Sequence, residues 1–249
     1  MARGELEALA EGGGDMCGLS CGAGGCWSAG ISFSPRVPAP NPHTITDAMA
    51  DPLPRFVGRE GEALQLIQVF DSCAGELSPH DFTRFSLPYL KYISENLPER
   101  LQALGIDPVP MTVFAKGAWY ALDALCQSGY NVVGLDWTHD PAEAVRTANG
   151  KVTLQGNMDP NVLYGGRKAI TENVERMLDG FKDAKGRHII NLGHGEFFFL
   201  IFVLLNTGKF AAGLMLGRLI GITPSVDPED LKHFFQECHR VGKDIYGHK

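Results

Sequence analysis

A repeating rhythm of apolar and polar positions begins near residue 61. Leu66, Ile67, Val69 and Phe70 form a short apolar run that reads as a strand over 66–70. Asp71-Ser72-Cys73-Ala74-Gly75 follows as a turn of small residues, and Ser78-Pro79 opens a helical pattern running to about Leu104. A second apolar run covers 110–115. The helix after it carries Ala121, Leu122 and Leu125 and ends at Gly129. The third run, 131–135, leads through Asp136-Trp137 to a short helix opened by Asp140-Pro141. The fourth, 151–155, leads through Gly156-Asn157-Met158 to a helix opened by Asp159-Pro160 and reaching about Phe181. The fifth covers 189–192 and ends in Gly193-His194-Gly195. A last helix opens at Asp227-Pro228, with Leu231, Phe234, Phe235 and Cys238 on one face.

The helix starts share one chemistry. Ser-Pro or Asp-Pro stands at residues 78, 140, 159 and 227. Ser and Asp accept hydrogen bonds from the orphan amides of a first turn. Proline suits the next position, where its missing N–H costs nothing. Asp140-Pro141-Ala142-Glu143 also fits a capping box. Strand, short loop and capped helix, repeated five times, predict an α/β protein with a parallel sheet.

Two stretches break the rhythm. Residues 1–60 are rich in Gly and Pro and show no sustained period. They are expected to be disordered, because little apolar surface offsets the entropy of ordering. Residues 196–221 carry an apolar block, 197–205, where every other strand-to-helix loop is short. That block is too short to cross a bilayer, so membrane insertion is not expected. It is apolar all round rather than on one face, unlike a surface-seeking helix. Gly195-Glu196 can be encoded with a splice-donor sequence and Ile220-Gly221 with an acceptor. Removing 196–221 would join His194-Gly195 to Ile222-Thr223-Pro224 and restore an ordinary loop. We therefore read 196–221 as a retained intron translated in frame.

Composition narrows the class. The 249 residues suffice for one barrel-sized domain or two small ones. A hydrophobic content of 44% with 20% charged residues describes a globular protein. The net charge of −7, without a basic stripe, argues against nucleic acid as partner. Of the six cysteines, Cys17, Cys21 and Cys26 cluster but lack a fourth ligand, so no metal site is expected. Cys73, Cys126 and Cys238 are scattered, as in a reduced cytoplasmic protein, and Cys126 and Cys238 are expected in the core. The first residues lack the pattern of a secretory signal.

Polar and small residues gather after the strands, at the edge where parallel α/β sheets bind ligands. Ser72, Asp136 and His194 stand there. Asp136 either lines a pocket or caps local backbone groups. His139 and His188 lack partners at ligand spacing and are expected at the surface. No glycine pattern matches a P-loop or a dinucleotide fingerprint.

Five stretches together resemble uroporphyrinogen decarboxylase. They are Val69 to Gly75, Pro108 to Lys116, Val132 to Trp137, Val152 to Asn157 with Asp159-Pro160, and Asn191 to Gly195. Similarity covers about 61–195 and 222–246, so 61–249 is expected to be a partial (β/α)8 TIM barrel. It would hold about five of eight βα units, with 196–221 as an apolar insert. The resemblance implies removal of carbon dioxide from the four acetate side chains of uroporphyrinogen, giving coproporphyrinogen in haem synthesis. It implies no cofactor and no metal, a porphyrinogen substrate and a possible homodimer. It gives Ser72 and His194 substrate contacts, and Phe70 a place against the macrocycle. The family also uses an Arg-Gln-Ala-Gly-Arg segment, an aspartate that gathers pyrrole N–H groups and a tyrosine; residues 1–60 hold no equivalent. Little activity is therefore expected from this polypeptide by itself. The alternatives are a methyltransferase of the same barrel fold and a non-catalytic protein that binds porphyrinogen or a full-length subunit.

Overall fold

A computed structural model describes residues 66–193 and 226–247 in full, and the backbone of 20–21, 26–28, 63–64, 202–206 and 209–213. Two compact units divide the chain, Met1–Asn131 and Val132–Lys249.

In the first unit, three short strands come first: β1 (Ser20–Cys21), β2 (Cys26–Ser28) and β3 (Ala63–Leu64). β2 pairs antiparallel with β1 and parallel with β3. Next come β4 (Ile67–Asp71), α1 (Pro79–Phe85), α2 (Leu87–Ala103), β5 (Met111–Ala115) and α3 (Leu122–Cys126). β4 and β5 run parallel, with Ile67 opposite Met111 and Asp71 opposite Ala115. Side chains alternate across a strand. Asp71 bonds Ser86, just before α2, which marks the face of Ile67, Val69 and Asp71 as the helix side. Gln68 and Phe70 therefore point the other way. Leu90, Ile93, Leu97 and Leu101 of α2 are buried at the three- and four-residue spacing of one helical face.

One predicted helix is two. The pattern over 79–104 breaks at Ser86, where α1 ends and α2 begins. Pro88 is the cause: it has no N–H to continue the ladder, and its ring restricts the residue before it. Leu90 resumes the ladder by donating to the Ser86 carbonyl at 3.2 Å.

The second unit holds β6 (Val132–Gly134), α4 (Pro141–Ala148), β7 (Thr153–Met158), α5 (Gly166–Phe181), β8 (His188–Leu192) and α6 (Pro228–Tyr246). β7 lies between β6 and β8, parallel to both. It reaches Met158, three residues past the apolar run. Gly156 and Asn157 look like loop residues, yet both find partners on β8. α5 buries Ile170, Val174, Met177, Leu178 and Phe181, and α6 buries Phe234, Cys238 and Val241.

The five parallel strands with their helices make an α/β fold of the partial (β/α)8 type. All four predicted caps are present. Ser78 accepts from the Asp81 amide, Asp140 from Glu143, Asp159 from Asn161 and Asp227 from Glu229. The helix predicted from Asp159 opens with a 3-10 segment, Pro160–Gly165, before α5.

The interval read as foreign contains two further strands, β9 (Phe202–Asn206) and β10 (Lys209–Gly213). They form an antiparallel hairpin, and β9 pairs antiparallel with β8, Leu204 opposite Ile189. Among the described residues, no helix is long and apolar enough to cross a membrane.

Candidate active site

The turn after β4 is built by close backbone contact. Gly75 donates its N–H to the Lys116 carbonyl at 2.7 Å, and Lys116 donates its own to the Asp71 carbonyl at 3.1 Å. A Cβ on Gly75 would lie 2.7 Å from the Gly117 Cα, so only glycine allows this approach. Gly117 itself has φ +72°, which suits glycine. The Tyr120 hydroxyl lies 3.0 Å from the Ala74 carbonyl and 2.9 Å from that of Leu77. It can donate to one of them at a time. The ends of β4 and β5 are thus tied into one platform.

Phe70 and Ser72 stand on that platform, and both are half-buried. Phe70 meets the Phe114 ring edge-on, with centroids 6.1 Å apart. It lies on the strand face opposite Asp71, away from the helices. Ser72 sits between two constrained neighbours. Cys73 follows it in the turn, and Asp71 before it is 4% exposed.

Asp71 is a site-adjacent residue that the sequence pattern did not single out. Its Oδ2 accepts the Ser86 hydroxyl at 2.5 Å. Burial pushes its carboxyl above the ordinary range, while the Ser86 hydroxyl and the Cys73 amide oppose the shift. Tyr120's own partial burial, helped by the charge of Asp71, raises its hydroxyl above the ordinary range. The sequence carries little signal for Asp71, because an aspartate after Ile67-Gln68-Val69-Phe70 reads as the first residue of a turn.

Asp136, in the second unit, is 2% exposed and follows β6. Thr138 donates its amide at 2.9 Å and its hydroxyl to Asp136 Oδ1. Of the two uses the sequence leaves open, local capping is the one these bonds serve. His139 Nδ1 stands 3.6 Å from the same oxygen, beyond hydrogen-bond range. The Asn157 amide group donates to the carbonyls of Asp136 and His139, both at 2.9 Å. It joins the end of β7 to the loop after β6. Gly193 completes the arrangement by donating to the Met158 carbonyl at 2.7 Å. A Cβ there would come within 2.5 Å of the Trp137 nitrogen. His194, the strongest sequence candidate, lies outside the described residues, directly after this anchored glycine.

Two expectations about histidine fail. His188 is 1% exposed, not at the surface. Its ring stacks on Phe181 with centroids 3.7 Å apart, and Nε2 is 2.8 Å from the Gly156 carbonyl. Burial pushes it down to about 4. The His139 side chain is only 8% exposed. Cys126 and Cys238 are buried, as expected of core thiols. Among the described residues, no three His, Cys, Asp or Glu side chains group as metal ligands.

Comparison with known proteins matches this architecture to one family. The model of the family described as uroporphyrinogen decarboxylase (URO-D) matches residues 43–200. The uroporphyrinogen decarboxylase of Schizosaccharomyces pombe is 47% identical over 179 residues, covering 72% of this chain and 43% of that protein. That of Danio rerio is 38% identical over 204 residues, covering 82% and 48%. The Homo sapiens protein is 44% identical over 151 residues, covering 61% and 40%. The chain therefore spans less than half the length of these relatives. A solved methyltransferase from Methanosarcina mazei superposes with a TM-score of 0.54 at 13% identity, over 80% of this chain and 47% of that one. At that identity the likeness concerns the fold alone.

Proposed function

Because this chain belongs to the uroporphyrinogen decarboxylase family, we propose that it carries the later strand ends of that family's substrate site and binds a porphyrinogen there. The family match across residues 43–200 carries this reading, since it includes the turn after β4 and the end of β8. The reaction is loss of carbon dioxide from the four acetate side chains of uroporphyrinogen. Each departing carboxyl leaves its electron pair on the side chain, and a proton replaces it.

Such chemistry needs the macrocycle held in one orientation and its charges matched. Ser72 supplies a hydroxyl that can donate to a substrate carboxylate. His194 supplies an imidazole for a second carboxylate. Phe70 supplies an apolar edge for the ring system. Asp136 is a weaker contact, because its carboxylate already serves Thr138. This role asks for no cofactor. Association with a second copy or a full-length subunit, which the family resemblance implies, belongs to the same proposal, as does a cytoplasmic location.

Turnover by this polypeptide alone is expected to be low, because residues 1–60 offer no Arg-Gln-Ala-Gly-Arg segment. The test incubates purified protein with uroporphyrinogen under anaerobic conditions and separates the oxidised porphyrins. Binding with little coproporphyrinogen is the expected result. Family-level turnover would overturn the low-activity part, and absence of any binding would overturn the whole.

A further inference from the structure

Asp71 is an odd residue to find at the end of β4. Its neighbours on the same strand face, Ile67 and Val69, are both fully buried, and Asp71 is nearly so. Taking a carboxylate out of water is costly unless partners replace the lost solvent. Two do. The Ser86 hydroxyl donates to Oδ2 at 2.5 Å, and the Cys73 amide donates to the same carboxylate. They come from different directions. Ser86 belongs to the helix junction and is itself fixed, its amide donating to the Phe82 carbonyl at 3.0 Å. Cys73 is two residues along the chain, on the far side of Ser72. One carboxylate therefore ties the peptide group between Ser72 and Cys73 to the start of α2. The Asp71 carbonyl is held as well, by the Lys116 amide.

Ionised Asp71 does not stabilise the fold as a whole. Burial raises its folded-state value above the unfolded one. Such a group contributes stability below the unfolded value and loses it as pH rises through the folded one. Wherever the group is ionised, the carboxylate thus costs global stability while ordering one turn. A residue that helps locally and costs globally is what a site demands rather than what a core demands.

We propose that Asp71 is the positioning residue for Ser72, holding its hydroxyl where a porphyrinogen carboxylate can accept from it. This rests on the family reading above and deepens it. Asp71 touches no substrate; it acts through Ser72.

The test measures uroporphyrinogen affinity of the full 249-residue chain by anaerobic equilibrium dialysis. Asp71→Asn is expected to weaken binding about tenfold, the scale of one hydrogen bond to a charged group. In a Ser72→Ala background the same change should have no further effect. That non-additivity separates positioning from a general structural role. Unchanged affinity in Asp71→Asn, or an equal loss with and without the Ser72 hydroxyl, overturns the proposal. Should Asp71→Asn fail to fold, the Ser86 pair decides: Ser86→Ala should weaken binding and Ser86→Thr restore it, and an unaffected Ser86→Ala overturns the proposal. A wild-type chain that binds no uroporphyrinogen overturns the proposed porphyrinogen binding first and this proposal with it. That outcome is distinct from a binding wild type with an unaffected variant.

Discussion

Burial turns His188 from a solvated base into part of the sheet–helix contact, and its titration follows from that. The folded state keeps the ring neutral down to about pH 4. The unfolded chain takes up a proton near 6.5. Between those values the unfolded state binds more protons, so stability falls as pH drops through this window. About 2 kcal/mol should be lost between pH 7 and pH 5 from this residue alone. Urea denaturation at the two pH values measures it, and His188→Phe should flatten the difference. A second expectation concerns Gly75. An added methyl would press on Gly117 and on the Lys116 carbonyl. Gly75→Ala should cost about 1–3 kcal/mol, as overpacking does, and should also weaken porphyrinogen binding by shifting the turn. A stability loss without any change in binding would detach that turn from the site. Single residues were the least legible feature of the sequence. A lone histidine carries no sign of whether it is buried, and a carboxylate ending a strand looks like any other turn residue. Both became interpretable only when the fold set a partner from a neighbouring helix or helix junction beside them, Phe181 against His188 and Ser86 against Asp71.

At the level of elements the sequence was far more legible, because the signals are local. Capping depends on residues within one turn, so Ser78, Asp140, Asp159 and Asp227 could be read from the chain alone. Ser78→Ala and Asp140→Ala should each lower stability by about 1 kcal/mol, measured as a shift of the urea midpoint with an unchanged slope. Apolar runs marked all five parallel strands for the same reason: a strand buried on both faces needs no alternation. Errors arose where a partner element decided the outcome. β7 gained three residues because β8 supplied hydrogen bonds for them. The long helix over 79–104 divided because apolar periodicity continues across Ser86 although the backbone ladder does not. Pro88 was the available warning.

At the scale of the whole chain, the repeated βα unit pointed to a parallel α/β fold, and the resemblance of five stretches at the strand ends reached the family, which the comparisons then showed. Residues 196–221 were not legible in this way, because an all-round apolar block has no period to read. The backbone there forms the hairpin of β9 and β10 against β8. Deleting 196–221 should speed amide hydrogen exchange across His188–Leu192, where β9 now provides a neighbour. Unchanged exchange would mean that the hairpin leaves that edge uncovered in solution. The direction of β9 has a further consequence. A (β/α)8 barrel continues only by adding strands that all point the same way. β9 points the opposite way and stands on the flank of β8 where the next such strand would dock. The two are rival tenants of one row of hydrogen-bonding groups, and β8 can host only one at a time. Any segment that closes the barrel on this side, from this chain or another, must first evict the hairpin.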